Sequence, residues 1–234
     1  MSLDVQVFTE TPSLVAALAD RIEGWVDEAI TTRGKAHVVL AGGSTPQALH
    51  EQLAARALPW SSIDFYFGDE RCVPADHEHA NFRAAKKSLL SRVPVREAQI
   101  HRMRGEAGAN AARDYENELP ERFDVMLLGM GEDGHTASLF PNASSLESPE
   151  RVIYVDDSPK PPPERITLGL RAINASRHVA FMVTGAGKAP ALAQVLTQRV
   201  KDPLPAARVQ PDDGTLTFFI DTSAAAALEG QPHD

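Results

Sequence analysis

Short apolar segments rich in β-forming residues alternate with longer amphipathic segments along almost the whole chain. The first pair is DVQVF, Asp4 to Phe8, followed by a helical stretch from Thr11 to about Thr31. The later strand segments are AHVVL, IDFYF, DVMLL, RVIYV, HVAFMV and TLTFFI. Strands that alternate with helices favour a mainly parallel sheet, because each crossover places a helix on one face or the other. The pattern predicts an α/β fold whose mainly parallel sheet is flanked by helices on both faces, in a single domain over residues 1–234.

Three weaker segments complete this reading. NFRAAKKSLLSRV is predicted to be helical, and QIHRM is predicted to be a short strand. The proline-rich piece SPKPPPERITL, Ser158 to Leu168, is predicted to be a stiff surface loop, because consecutive prolines hold an extended backbone and cannot donate ladder hydrogen bonds. Since neither charge nor composition changes across it, we expect a loop near the functional site and not a linker between domains.

Composition excludes several classes of function. The formal net charge of -9 argues against nucleic acid or an anionic membrane as a partner, since both require a basic surface. The single cysteine, Cys72, cannot form an internal disulfide. The amino terminus, MSLDVQVFTETP, lacks the pattern of a signal peptide, and no apolar run approaches the length of about 20 residues that spans a bilayer. We expect a cytoplasmic protein.

Polar, glycine-containing stretches follow four of the strand segments. They are AGGST, GDERC, GMGEDGH and TGAGK. In open parallel sheets, ligands bind beyond the carboxyl ends of the strands. We therefore expect these four stretches to lie along one edge and to form the functional site.

The stretch AGGSTPQAL has the features of an anion-binding turn. Gly43, Ser44 and Thr45 precede a helix that begins near Pro46. Glycine allows close approach to a ligand, and the unpaired amides and dipole of a helix N-terminus favour a phosphate. A plain turn with Ser44 or Thr45 as helix cap is the alternative. The stretch matches neither the dinucleotide nor the nucleotide fingerprint.

Two cations are candidates to bind the same anion. Lys188 in TGAGKAP lies at a helix start, where a lysine is unfavourable unless an anion lies nearby; a solvated surface lysine is the alternative. Arg71 lies closest to the strand end among the basic residues of GDERCVPADHEHANFR and can bind a phosphate through two nitrogens. The same connection carries His77 and His79 between acidic residues, a pattern more often solvated than metal-binding. We expect no metal and no cofactor.

The stretch GMGEDGHTASLFP places His135 on a glycine-flanked turn after a buried strand. Asp133, two positions earlier, is able to orient the imidazole or favour its protonated form. A histidine that only completes a tight turn is the alternative. Neither a GxSxG nucleophile motif nor a signature around Cys72 is present, so the pattern indicates a general base acting on water or on a substrate proton.

With these motifs in this order, the chain resembles the 6-phosphogluconolactonase family, which is related to the glucosamine-6-phosphate deaminases. The resemblance covers nearly the whole chain and implies the α/β fold of that family. It also implies hydrolysis of 6-phospho-D-glucono-1,5-lactone, with His135 as the base on water and Asp133 beside it. The residues it implies for substrate binding are Gly43, Ser44, Thr45, Arg71 and Lys188, with Asn81, Arg83 and Arg165 as lesser candidates.

Two other functions remain open from the sequence. Deaminases continue after the DGH turn with a segment of the type AFNEP, whose glutamate takes part in ring opening, whereas this chain reads TASLFP and has no carboxylate after His135 until Glu147. A sugar-phosphate sensor without catalysis is the second alternative, which the intact GEDGH disfavours. The expected partner is a small phosphorylated sugar lactone, and the expected state is a monomer or a weak homodimer.

Overall fold

The computed structural model describes residues 2–43, 45–197 and 203–228. The strands within these residues are β1 (Ser2–Phe8), β2 (Ala36–Leu40), β3 (Ile63–Phe67), β4 (Asp69–Arg71), β5 (Val125–Gly129), β6 (Val152–Val155), β7 (Arg165–Leu168), β8 (His178–Val183) and β9 (Thr215–Asp221). Six of them form one parallel sheet in the order β1-β9-β8-β5-β2-β3. The predicted mainly parallel sheet is confirmed.

The α-helices of the same residues are α1 (Thr11–Arg33), α2 (Pro46–Ala54), α3 (Asn81–Ala85), α4 (Asn110–Glu116), α5 (Leu170–Asn174), α6 (Ala189–Thr197) and α7 (Thr222–Ala225). A π-helical turn, Lys86–Leu90, continues α3. Helix α1 accepts Pro12 in its first turn, where the missing N–H is no loss. It ends at Gly34, which adopts φ 79° and donates its N–H to the carbonyl of Ile30.

The central sheet is apolar on both faces. Because side chains alternate along a strand, Leu127 and Leu128 of β5 belong to different hydrophobic clusters. One cluster packs the sheet against α1 and α2, and the other packs it against α4, α6 and the second sheet described below. Strands buried on both faces read as continuous apolar runs, which is why the strand segments were recognisable in the sequence.

A second, three-stranded antiparallel sheet has the order β4-β7-β6. Part of the predicted loop from Ser158 to Leu168 is therefore wrong, because residues 165–168 form the buried central strand of this sheet. The prolines end at Pro163, and the segment after them can pair on both sides. The predicted strand QIHRM is also wrong, since it makes only an isolated bridge between Ile100 and Phe65.

The strands that precede the four polar stretches are neighbours. In the order β8-β5-β2-β3 they run parallel, so their carboxyl ends meet along one edge. The prediction that the four stretches share an edge is confirmed. No helix among the described residues has both the length and the apolar character that a membrane crossing requires.

Candidate active site

A cavity of about 410 Å³ lies at this edge of the sheet. A volume of this size is typical of sites for small molecules. The polar or glycine residues that line it come from all four stretches and from the proline-rich segment: Gly42, Gly43, Thr45, Gly68, Asp69, Arg71, Gly129, Gly131, Glu132, His135, Lys160, Arg165, Thr184 and Lys188. Cations, carboxylates and one imidazole therefore share a single cavity.

The turn after β5 holds His135 in place through its backbone. The N–H of Gly131 donates to the carbonyl of His135 at 2.8 Å, and the hydroxyl of Thr136 donates to the carbonyl of Gly129 at 2.9 Å. Gly134 adopts φ 75°, a conformation that glycine reaches without strain. A side chain at Gly131 would collide with the ring of His135, so glycine is required there for close approach.

Asp133 and His135 form a hydrogen-bonded pair within this turn. The ring nitrogen Nδ1 of His135 contacts Oδ1 of Asp133. An ionised carboxylate only accepts, so Nδ1 carries the proton and the neutral ring keeps its lone pair on Nε2. Lys160 Nζ lies 3.4 Å from Asp133 Oδ2 and 3.2 Å from His135 Nδ1. The lysine and the imidazole therefore share one carboxylate as acceptor.

This arrangement shifts the pKa of both partners. Burial alone would raise the pKa of Asp133, but its hydrogen bond to His135 and the charges of His135 and Lys160 hold the pKa at about 2. Burial lowers the pKa of His135, Asp133 opposes this, and Lys160 lowers it further. The resulting pair is an ionised carboxylate and an imidazole biased toward its neutral form, which is the form able to accept a proton.

The predicted anion-binding residues converge on the same cavity. Gly43 adopts φ 97° just before α2, and Thr45 precedes Pro46 of that helix. Arg71 donates through Nη1 to the carbonyl of His79 at 2.6 Å, which fixes the guanidinium beside the cavity. Lys188 ends a single turn of 3₁₀-helix before α6 and forms no ion pair with the described residues. Ser44 lies outside the described residues.

Asn81 and Arg83 do not line this cavity. They line a smaller one of about 160 Å³, which shares Gly42 and Gly43 with the first. The side-chain amide of Asn81 donates to the carbonyl and to Oδ1 of Asp69, at 2.9 and 3.0 Å. The structure thus places Asn81 behind the cavity wall, where it holds Asp69.

Arg165 is buried at the cavity, and most of its donors have partners within the protein. Its Nε donates to the carbonyl of Pro162 at 2.7 Å, and Nη2 donates to the carbonyl of Lys160 at 3.0 Å. Nη1 lies 3.4 Å from the hydroxyl of Ser138. This guanidinium therefore holds the proline-rich segment, and with it Lys160, against the cavity.

Sequence reasoning missed three residues of the cavity. Lys160 lies in the segment read as a loop near the site, and Glu132 lies inside GMGEDGH, but neither had a signal of its own. Asp69 is the second residue of GDERC, and its buried carboxylate accepts a hydrogen bond of 2.7 Å from Ser138. An acidic residue close to the end of a strand was the only signal available. Within the described ranges, no three His, Cys, Asp or Glu side chains come close enough together to hold a metal ion.

Comparisons with known proteins agree on one family. The family model described as glucosamine-6-phosphate isomerases/6-phosphogluconolactonase matches residues 9–218. The 6-phosphogluconolactonase of Mycobacterium tuberculosis is 41% identical over 246 residues, covering 97% of this chain and 99% of that protein. The human 6-phosphogluconolactonase is 38% identical, covering 96% and 93% of the respective chains.

Solved structures give the same result. A 6-phosphogluconolactonase from Thermotoga maritima has a TM-score of 0.87 at 32% identity, covering 94% of this chain and 100% of that one. A monomeric glucosamine-6-phosphate deaminase has a TM-score of 0.79 at 20% identity and covers 96% of this chain and 99% of its own, a likeness of fold alone. The chain belongs to the family of glucosamine-6-phosphate isomerases and 6-phosphogluconolactonases.

Proposed function

We propose that this protein hydrolyses 6-phospho-D-glucono-1,5-lactone to 6-phospho-D-gluconate, with His135 as general base. The observation that carries the proposal is the Asp133–His135 pair in a cavity that Arg71 and Lys188 also line. Relatives named 6-phosphogluconolactonase that align over more than nine-tenths of the chain support the same substrate. We also infer that residues 1–234 act as one hydrolase domain, an inference supported by the hydrophobic cluster that both sheets share.

In this mechanism, Nε2 of His135 takes a proton from water while the water oxygen attacks the lactone carbonyl carbon. Asp133 holds Nδ1–H and stabilises the imidazolium that forms. When the tetrahedral intermediate collapses, the bond from the carbonyl carbon to the ring oxygen breaks. The imidazolium returns its proton to that oxygen, which becomes a hydroxyl group, and the carbonyl becomes the carboxyl group of the product.

The phosphate group is assigned to the part of the cavity formed by Gly43, Thr45, Arg71 and Lys188. Backbone amides before α2 and two cations offset the unfavourable net charge of the whole protein. Arg83 is exposed at the neighbouring cavity, and Asn81 acts there through Asp69. Arg165 contributes by holding Lys160 in place and not as a direct phosphate ligand.

A deaminase of glucosamine 6-phosphate is the second candidate, because one observation favours it. The carboxylate of Asp69 lines the cavity that contains His135, and an aldose-ketose isomerisation requires a carboxylate for proton transfer. Against it, both oxygens of Asp69 accept hydrogen bonds from Ser138 and Asn81. Glu147, the next carboxylate after His135, pairs with Arg208 and does not line the cavity.

The test compares the loss of freshly generated lactone with and without protein, since the lactone also hydrolyses unaided. Wild type should accelerate the loss, and His135→Ala should reduce the enzymatic rate by about 10²- to 10⁴-fold. His79→Ala is the matched control, because this exposed histidine does not line the cavity.

Glucosamine 6-phosphate is incubated in parallel, with ammonia as the product measured. Ammonia release without accelerated lactone loss would replace the lactonase proposal by the deaminase. Neither reaction, from protein that is folded and binds a sugar phosphate, would replace it by the sensor.

A further inference from the structure

The first strand lies at an edge of the six-stranded sheet and exposes a row of apolar side chains. In the described part of the chain, the large hydrophobic residues that are exposed are Leu3, Val5 and Val7, at 41%, 37% and 52%. Their alternate spacing places them on one face of β1. The edge has neither a proline nor a lysine, the residues with which edge strands commonly block pairing with another chain.

This apolar row continues a buried face of the sheet. In the parallel register with β9, Leu3 lies beside Leu216 and Val5 lies beside Phe218, and both β9 residues are buried. The opposite face of β1 carries Asp4, Gln6 and Phe8, where Phe8 stacks on Phe219 with ring centroids 6.2 Å apart. The sheet therefore ends in a strand whose apolar row is only partly covered by the rest of the protein.

The sequence of β1 is complementary to itself in one antiparallel register. If two copies pair with Val5 on the two-fold axis, Leu3 of each lies opposite Val7 of the other. Asp4 then lies opposite Gln6 of the second copy, whose amide can donate to the carboxylate. A register centred on Asp4 would instead place two carboxylates directly opposite each other, which destabilises a strand pair.

We propose that two copies of this protein pair through the edges of β1 in the antiparallel register centred on Val5. Pairing satisfies the free backbone groups of both edges and joins the two sheets into one, with the apolar rows of both copies side by side. The contact is one strand wide, so a weak dimer in equilibrium with monomer is expected. Strand β9 lies between β1 and β8, so the active-site cavity of each copy lies away from the contact.

The first experiment is sedimentation of the full chain over a wide range of concentrations. Wild type should show a dimer that dissociates on dilution. Val5→Lys places two ammonium groups opposite each other on the axis and should raise the dissociation constant about tenfold or more. Val5→Thr keeps a β-branched side chain and should weaken the dimer less. Circular dichroism and thermal unfolding confirm that each variant is folded.

A pair of substitutions at Gln6 tests the register itself. Gln6→Lys places an ammonium opposite Asp4 of the second copy and should tighten the dimer about threefold or more at low salt, whereas Gln6→Glu should weaken it by a similar factor. Added salt should reduce both effects. A wild-type chain that stays monomeric at every concentration would overturn the proposal. A dimer that none of these substitutions alters would also overturn it, since the interface would then lie elsewhere.

Discussion

A histidine serves as a base near neutral pH only when its ring is neutral, and burial and nearby charges decide this for His135. Burial lowers its pKa, the hydrogen bond to Asp133 raises it, and the charge of Lys160 lowers it again. Asp133 is needed to orient the ring, but alone it would stabilise the imidazolium. Lys160, 3.4 Å from that carboxylate, offsets part of this effect.

Replacing Lys160 by methionine should therefore shift the pH profile. Without the ammonium, the pKa of His135 rises, so the neutral imidazole is lost at a higher pH during acidification. The acid limb of kcat/KM should move to higher pH, because that limb reports the base in the free enzyme.

Lys160→Arg retains the charge and serves as the control. The acid limb of its kcat/KM profile should lie close to that of wild type. A Lys160→Met limb that stays in place or moves to lower pH would contradict this account of the lysine.

At the scale of elements, turns set the geometry of the site more than helices or strands do. The turn after β5 brings the ring of His135 against the backbone of Gly131, where a Cβ atom would collide with it. The glycines of this turn are therefore explained by the close contact at Gly131 as well as by the backbone conformation of Gly134. The sequence alone offered only the second explanation.

Gly131→Ala should displace the imidazole and lower lactone turnover by about 10²-fold or more, a loss comparable to removal of the base. Gly24→Ala provides a matched change in α1, where a Cβ atom meets nothing within 4 Å. Gly24→Ala should keep full activity and gain up to about 1 kcal/mol of stability. Normal turnover by folded Gly131→Ala would show that the close approach is not required.

Packing between α2 and the π-helical turn after α3 buries another histidine. Nδ1 of His50 lies 2.8 Å from the hydroxyl of Ser88, which itself donates to the carbonyl of Ala84. Burial lowers the pKa of His50 to about 4. In the unfolded chain His50 becomes protonated near pH 6.5, whereas in the folded protein it becomes protonated only near pH 4.

This histidine should make the protein less stable in mild acid. As the pH falls below about 6.5, the unfolded state gains a proton that the folded state does not, so the free energy of unfolding decreases. Between pH 7 and pH 5 the expected loss from His50 is about 2 kcal/mol. Urea unfolding at both pH values measures it, with His50→Gln as the comparison. Equal losses for wild type and variant would disprove the assignment.

At the scale of the whole molecule, a net charge of -9 opposes the binding of an anionic substrate. Binding must therefore rest on local donors, namely the amides before α2 and the cations Arg71 and Lys188. These act over a few ångströms and are partly accessible to solvent ions.

Raising the salt concentration should therefore increase KM for the lactone a few-fold and leave kcat nearly unchanged. Lys188→Gln should have a higher KM at low salt and a flatter dependence on salt. A KM that does not change with salt in wild type would argue against the assignment of the phosphate group to these cations.

The order along the chain of the six strands of the parallel sheet and of the longer helices could be predicted from the sequence. Apolar runs, Pro12 and Gly34 mark strand and helix boundaries through local physics, since periodicity, φ restriction and capping involve only neighbouring residues. The sequence also predicted that the four polar stretches lie along one edge of the sheet, because parallel strands place their carboxyl ends together. The antiparallel sheet did not follow, because the prolines before Arg165 hid strand β7, and one of its two partners, β4, is distant in sequence.

By itself, then, the sequence determined the fold class, the edge that carries the site and the turn that carries His135. Only the tertiary structure decided the neighbours of that histidine. Lys160 lies 25 positions away and reaches His135 because the buried guanidinium of Arg165 holds the proline-rich segment in place. Such contacts depend on how separate elements pack, and no local pattern of residue types encodes them.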